Sequence, residues 1–303
     1  MDARLLVELD HRRFQQPGVA LRARAPASTA NLGPGFDVLA LALSLYVEVE
    51  VVPAKSFSLS SQGEGSAIAC DEKHLAAKVA LAVCGHDRVA IRIRSEIPLR
   101  RGLGSSAALA VAVAAAAGAP DPFQVAAEFE GHPENAAASI RGGLVCAAVL
   151  GAGPVLRSFP LDEGLSFVVI VPERELSTRE ARAALSPELS RSDVVFNLSR
   201  MALLLAGLAD RSLLVPEAGQ DRVHQSQRSR LFPEASEILA RLTRAGALTS
   251  CWSGAGPSLL AICDGPLRAG LVRDAGEAAL ADLGVSGRAL VLEPDLEGLV
   301  VGQ

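Results

Sequence analysis

The 303-residue chain predicts two α+β domains. Three observations lead there. Short runs in which apolar and polar residues alternate mark half-buried strands, and helical apolar stripes separate them. The second half has its own rhythm, in which strands and helices follow the order β-α-β-β-α-β once inserted helices are set aside. Half of the residues are hydrophobic, which at this length allows one large or two ordinary cores.

The first seventeen residues read as an N-terminal extension closed by Pro17-Gly18. Val19, Leu21 and Ala23 lead into alternation with arginines at 22 and 24 as a strand, and the stretches Tyr46–Val52 and Phe57–Ser60 continue the pattern around Pro53. Residues 72–84 carry an apolar stripe through Leu75, Val79 and Val83 that Gly85 closes, as a left-handed cap requires. Val89–Arg94 alternates as a strand and leads into a glycine-rich loop. Helix 105–117 follows, and Asp121-Pro122 opens another with an N-cap and a first-turn proline. The polar stretch His132–Asn135 and the pair Gly142-Gly143 precede a strand at 144–149. Beyond it come strands at 167–171, 249–252, 259–263 and 288–292, with helices near 178–185, 193–208, 234–244 and 267–282. Their order is ferredoxin-like. The expected division is an extension over 1–17, an N-terminal domain over 18–160 and a C-terminal domain over 161–303.

Bulk properties exclude several roles. A net charge of −5 argues against a nucleic-acid surface. The cysteines, at 70, 84, 146, 251 and 263, lack metal-ligand spacing, and all but Cys70 read as reduced core residues of a cytoplasmic protein. The first ten residues mix both charge signs and lack a signal-peptide pattern. The uncharged run from Gly102 to Pro120 has too few apolar residues for a membrane span, most of them alanine, and reads as a buried helix.

The most informative segment is Pro98-Leu-Arg-Arg-Gly-Leu-Gly-Ser-Ser-Ala107. Gly102 and Gly104 leave backbone N–H groups open to an anion, and the unpaired amides and dipole of the following helix point the same way. Ser105 and Ser106 add hydroxyls for phosphate oxygens or a metal ion. The stretch fits the dinucleotide fingerprint G-x-G-x-x-A, yet a helix rather than an acid-ended strand follows it. A P-loop lysine is also missing, because Lys55, Lys73 and Lys78 follow no glycine run.

The segment resembles the second motif of the GHMP superfamily of small-molecule kinases. Pro26-Ala-Ser-Thr-Ala-Asn-Leu-Gly-Pro-Gly-Phe-Asp37 is similar to the first motif as homoserine kinases carry it, and Ser253-Gly-Ala-Gly-Pro-Ser258 to the third. The resemblance implies a domain like part of ribosomal protein S5 followed by a ferredoxin-like domain. It also implies ATP and Mg²⁺ as cofactors, L-homoserine as substrate in threonine biosynthesis, and a homodimer. On that basis Pro98, Arg101, Gly102, Leu103, Gly104, Ser105, Ser106, Ala107, Gly254 and Gly256 would hold the nucleotide. Ser106 and Glu128 would hold the metal, with Glu130 the next carboxylate in line. Asn31 and Asp37 would take the substrate's amino end.

Ser177-Thr-Arg-Glu-Ala-Arg182 resembles the family's Ser-Thr-x-x-Ala-Arg, which turns Thr178 and Arg182 to the substrate from one side of a helix. Asp221-Arg-Val-His-Gln-Ser-Gln-Arg228 is similar to Asp-Arg-Leu-His-Gln-Pro-Tyr-Arg, making Arg228 the second carboxylate ligand, with Arg222 and Arg230 as competitors. His132 and Asn135 match His-Pro-Asp-Asn, from which the chain departs at Glu134. Asn135, Thr178 and Arg182 form the expected catalytic set, and no general base is named. His11, His74, His86 and His224 receive no catalytic role. Two other readings share the scaffold: a mevalonate-type kinase, and a non-catalytic sensor of ATP or amino acids.

Overall fold

The structure, a computed structural model, describes residues 21–151 and 153–302. The expected 1–17 extension lies outside them. The first sheet contains β1 (Leu21–Ala30), β2 (Leu39–Pro53), β3 (Ser58–Gly63), β4 (Val89–Ser95), β5 (Leu144–Leu150) and β6 (Gly153–Phe159). β1, β2, β4 and β3 lie side by side, while β5 pairs with the start of β2 and carries β6. Only β3 and β4 run parallel.

Four helices cover this sheet: α1 (Leu75–Cys84), α2 (Ser105–Ala116), α3 (Pro122–Glu130) and α4 (Glu134–Arg141). The alanine-rich α2 is the central one. From Ala107 onward it is buried except at Leu109, because small side chains let it press on β1, β2 and the other three helices at once. Asp121 caps α3 by accepting from the Gln124 N–H at 3.0 Å, with Pro122 in the first turn.

The second sheet holds β7 (Leu165–Pro172), β8 (Thr249–Trp252), β9 (Leu259–Asp264) and β10 (Gly287–Leu292) in the order β10-β7-β9-β8, all antiparallel. Every residue of the central β7 is buried. Alternate side chains serve two cores. Phe167, Val169 and Val171 join the cluster of the first domain. Val168 and Ile170 pack with Phe232, Trp252 and the helices α8 (Ala235–Arg244) and α9 (Gly265–Asp282). Between β7 and α8 come α5 (Thr178–Ala183), α6 (Arg191–Ala209) and α7 (Gln225–Arg228).

Three departures from expectation have physical causes. β2 starts at Leu39 rather than Tyr46, since Leu39–Leu43 is buried throughout and carries no alternation to read. α4 follows Pro133 immediately and is only eight residues long. The second domain does not keep the chain to its end: β11 (Val300–Gly302) returns to pair with β1, and Pro294 bridges to Leu43. The expected 161–303 unit therefore gives its last strand to the first sheet.

Candidate functional site

Three loops converge between the two sheets. The loop after β1 turns through left-handed backbone at Asn31 (φ 70°), Leu32 (φ 47°) and Asp37 (φ 57°). Asn31 makes that conformation useful: its Nδ2 donates to the Gly254 carbonyl at 2.8 Å, and its Oδ1 accepts from the Asp37 N–H at 3.0 Å. Ser253 closes the third side, its hydroxyl reaching the Thr29 hydroxyl (2.9 Å) and the Gly102 carbonyl (2.7 Å). Motifs more than two hundred residues apart are thus joined by short polar contacts.

The glycines between β4 and α2 are required by crowding. A Cβ on Gly102 would stand 2.2 Å from the Ser253 carbonyl oxygen, and one on Gly104 would stand 2.1 Å from Ser28 Oγ. Gly104, at φ 63°, precedes α2 without a side-chain cap. The first intrahelical bond there runs from the Ala108 N–H to the Gly104 carbonyl. The amides of Ser105, Ser106 and Ala107 therefore face out of the helix end unpaired. The Ala107 side chain itself is buried and does not line the cleft, so its expected contribution reduces to its backbone. Arg101 does more than expected. It borders the cleft, as expected, but donates to the carbonyls of Pro172 (2.7 Å), Leu99 (2.8 Å) and Glu173, which makes it a clasp to the second sheet as well.

The cleft, ≈ 150 Å³, is lined by Pro98, Gly102 to Ser106, Gly254 and Gly256 on one side. Asn31, Asp37, His132, Asn135, Thr178, Arg182 and Arg228 line the other. Two roomier depressions, on the charged outer face of the first sheet and beside β8, gather none of these loops. A narrow crevice between Ile68, Ile93, Leu99 and Leu109 opens beside Ser105.

Glu128 is absent from the cleft. It is exposed and accepts from Gln124 Nε2 at 2.7 Å one turn back on α3. Two residues on, about 200° around the helix, Glu130 faces the loop and accepts from the Ser106 hydroxyl. Its burial raises its pKa, against the lowering effects of Ser106 and His132. The carboxylate that meets Ser106 is therefore Glu130.

At the substrate end, Arg182 and Asp37 form a two-pronged ion pair at 2.8 and 2.7 Å. Thr178 stands one turn before Arg182, at the head of α5, whose N-terminus is closed by a capping box between Ser177 and Glu180. Arg228 is 1% exposed. Its Nη1 donates to His224 Nδ1 and to the Gly254 carbonyl, each at 3.1 Å. Arg222 instead pairs with Asp193 at 3.4 Å, and Arg230 donates to the Ala184 carbonyl. Neither competitor lines the cleft.

His132 Nδ1 lies 3.1 Å from Glu134 Oε1, and Asn135 Nδ2 donates to the same oxygen at 3.2 Å. Asn135 Oδ1 accepts from Ser28 Oγ at 2.9 Å. Asn135 is thereby fixed beside Gly104, between the glycine loop and the paired charges.

Sequence reasoning assigned His224 no role, yet the ring is fully buried and stacks on Phe36, 5.3 Å between centroids. Its Nε2 lies 2.7 Å from the Gly33 carbonyl. Asp221 supports it from below, accepting from the backbone N–H groups of Val223, His224 and Gln225. The i to i+4 spacing of His224 and Arg228 was the available signal.

Comparison with known proteins bears on the family and the fold. Residues 72–143 match the family model "GHMP kinases N terminal domain", and residues 203–282 match "GHMP kinases C terminal". The chain is 39% identical to a homoserine kinase of Moorella thermoacetica, covering 92% of this chain and 98% of that one. It is also 39% identical to a homoserine kinase of Thermus thermophilus over 89% of this chain and 95% of the relative. The crystal structure of a homoserine kinase from Cytophaga hutchinsonii superposes with a TM-score of 0.83 at 26% identity, covering 95% and 99% of the two chains.

Proposed function

The chain belongs to the homoserine kinase family of GHMP kinases and phosphorylates L-homoserine with ATP, and from that premise we propose how this cleft does so. The carrying observation is the Asp37–Arg182 ion pair, which stands with Arg228 beside the glycine loop. Homoserine enters by exchange: its ammonium takes Asp37, and its carboxylate takes Arg182 and Arg228. Two opposite charges that satisfy each other in the free protein are satisfied again by a zwitterion. A ligand with one charge leaves the other partner stranded, which costs ~1–3 kcal/mol or more for a charged group. Mevalonate has no ammonium and is disfavoured on that ground.

The triphosphate lies against the amides from Gly104 to Ala107, and the purine against the crevice beside Ser105. Glu130 and Ser106 fit Mg²⁺. A carboxylate and a hydroxyl meet at the mouth of the phosphate loop, and Glu130 carries a desolvation cost that a cation offsets. Such an ion takes its remaining ligands from phosphate and water. When bound, it supplies charge neutralisation on the transferring phosphates. Asn135, held by Ser28 and Glu134, meets the substrate hydroxyl, while Thr178 and Arg182 orient the carbon chain. Transfer through a loose transition state asks mainly for this positioning, so no side chain need be a strong base.

An ADP-release assay with L-homoserine, its carboxyl-free analogue homoserinol, and mevalonate tests the reading. Turnover should fall steeply from the first to the other two. Arg228→Ala should raise KM for homoserine about 10- to 100-fold, as loss of a charged hydrogen bond implies. An unchanged KM would refute the carboxylate assignment.

A further inference from the structure

Four arginines line the cleft: Arg100, Arg101, Arg182 and Arg228. Arg182 is paired with Asp37, Arg228 is buried, and Arg101 is held by three carbonyls. Arg100 differs from all of them. Its side chain is 69% exposed, and among the described residues its guanidinium meets only Glu175, at 3.2 Å. Glu175 is itself 53% exposed. An ion pair so open to water contributes little, so a stronger acceptor takes the guanidinium at small cost. The three lysines of the chain, Lys55, Lys73 and Lys78, do not line the cleft. A triphosphate against the glycine loop therefore meets one uncommitted cation.

The backbone gives an independent reason to single out this residue. Arg100 adopts φ 52°, in the left-handed region that glycine enters freely and other residues enter under strain. The turn is held from both sides. The Leu176 N–H donates to the Arg100 carbonyl at 3.2 Å, and Arg101 Nη1 donates to the Leu99 carbonyl at 2.8 Å. Glycine would fit there at lower cost, so the arginine side chain serves an end that glycine cannot. Its direction fits that end. Glu175 stands just before Thr178 in the chain and Glu180 just after it. Glu180 is held below the ordinary carboxylate range by its bonds to Ser177 and, further out, by the charges of Arg179 and Arg100. The guanidinium thus lies beside the head of α5, at the substrate end of the cleft.

We propose that Arg100 is a further catalytic residue, which leaves Glu175 when ATP binds and grips the γ-phosphate opposite the glycine-loop amides. The assignment rests on the placement of the triphosphate given above. In transfer, the bond from the γ-phosphorus to the β–γ bridging oxygen breaks, and its electron pair leaves with ADP. The homoserine hydroxyl oxygen forms the new bond, and its proton passes to a phosphoryl oxygen and then to solvent. Negative charge grows on the bridging oxygen, while the charge of the transferred group stays spread over its equatorial oxygens. A forked guanidinium meets one oxygen of each kind, and its hold strengthens as the charge develops. Glu175 is the resting partner that keeps the arginine at the mouth between turnovers.

Arg100→Gly should lower kcat about 100-fold while the melting temperature holds or rises, because the turn is relaxed. In calorimetry, Arg100→Met should lose about tenfold in affinity for a non-hydrolysable ATP analogue and nothing for ADP. Arg100→Lys should recover part of both losses. Glu175→Gln should keep kcat and bind the analogue at least as tightly as wild type, since it only releases the arginine. A purely structural bridge instead predicts equal losses from Arg100→Met and Glu175→Gln, and that result would overturn the proposal. So would an unchanged kcat in Arg100→Gly. Nuclear magnetic resonance separates the proposal from the placement beneath it. ADP should shift the amide signals of Ser105 and Ser106, and only the analogue should shift the Arg100 Nε–H. Amides that move beside an unmoved Nε–H overturn the arginine assignment alone. Amides that stay in place overturn the triphosphate placement, and the assignment with it.

Discussion

Arg228 is a fully buried cation, and its neighbours explain how it stays one. Burial and the charge of Arg182 pull its pKa down to about 10, which leaves it charged at neutral pH. Burial pulls His224 down to about 4, so the ring is neutral and its Nδ1 is free to accept from Arg228 while Nε2–H donates to Gly33. An asparagine carbonyl stands close to where Nδ1 was, and a glutamine amide close to Nε2. His224→Asn should therefore keep KM for homoserine within a few-fold, whereas His224→Gln should raise it roughly tenfold with KM for ATP unchanged. Equal homoserine constants in the two variants would remove the positioning role. At the metal end, Glu130→Gln should depress kcat and raise the Mg²⁺ needed for half-activity by more than about tenfold. Glu128→Gln should leave both unchanged, and the reverse result would return the ligand to Glu128. Burial lowers the His132 pKa, but Glu134 and Glu130 outweigh it and leave the imidazole raised. Its charge therefore favours the folded state fully below about pH 6.5, and that contribution is lost as pH rises through the raised value. His132→Gln should flatten this part of the melting temperature against pH.

At the scale of elements, the glycine loop and α2 act as one unit. Gly104 combines a left-handed backbone with contact against Ser28 and Asn135. Gly104→Ala should destabilise the protein by about 1–3 kcal/mol in denaturant titration. It should also impair turnover more than ATP affinity, because it displaces Asn135; a loss confined to ATP binding would contradict that coupling. The loop, the alanine helix and the cap of α3 were legible because glycine, alanine and Asp-Pro have local meanings. The choice between Glu128 and Glu130 was not. Both lie on α3, and which one meets Ser106 depends on the rotation of that helix against α2. α4 was hidden for a similar reason, since its apolar residues, Ile140 apart, are alanines that show a face only once β1 and β5 cover them.

Across the whole molecule, the cleft exists because two sheets share one apolar cluster. Odd-numbered residues of β7 pack into the core of the first domain, and β11 returns to extend its sheet. Arg101 reinforces the junction with three backbone carbonyls, two of them on the far side. Arg101→Met should lower stability by roughly 2 kcal/mol, since those carbonyls lose a charged donor, and should raise KM for both substrates by loosening the cleft. A change in KM for ATP alone would make Arg101 a phosphate ligand and no clasp.

The sequence by itself determined the alternation of strands and helices, the ferredoxin-like order of the second half and the three loops that carry glycine, serine and asparagine. Those features depend on neighbours a few residues apart, where backbone conformation and periodicity act. Only the tertiary structure decided that Glu130 and not Glu128 meets Ser106, that Arg101 clasps the domains, that His224 holds Arg228 and that the last strand returns to the first sheet. Each of these rests on how one element is rotated or placed against another distant in the chain, and local spacing carries no record of that.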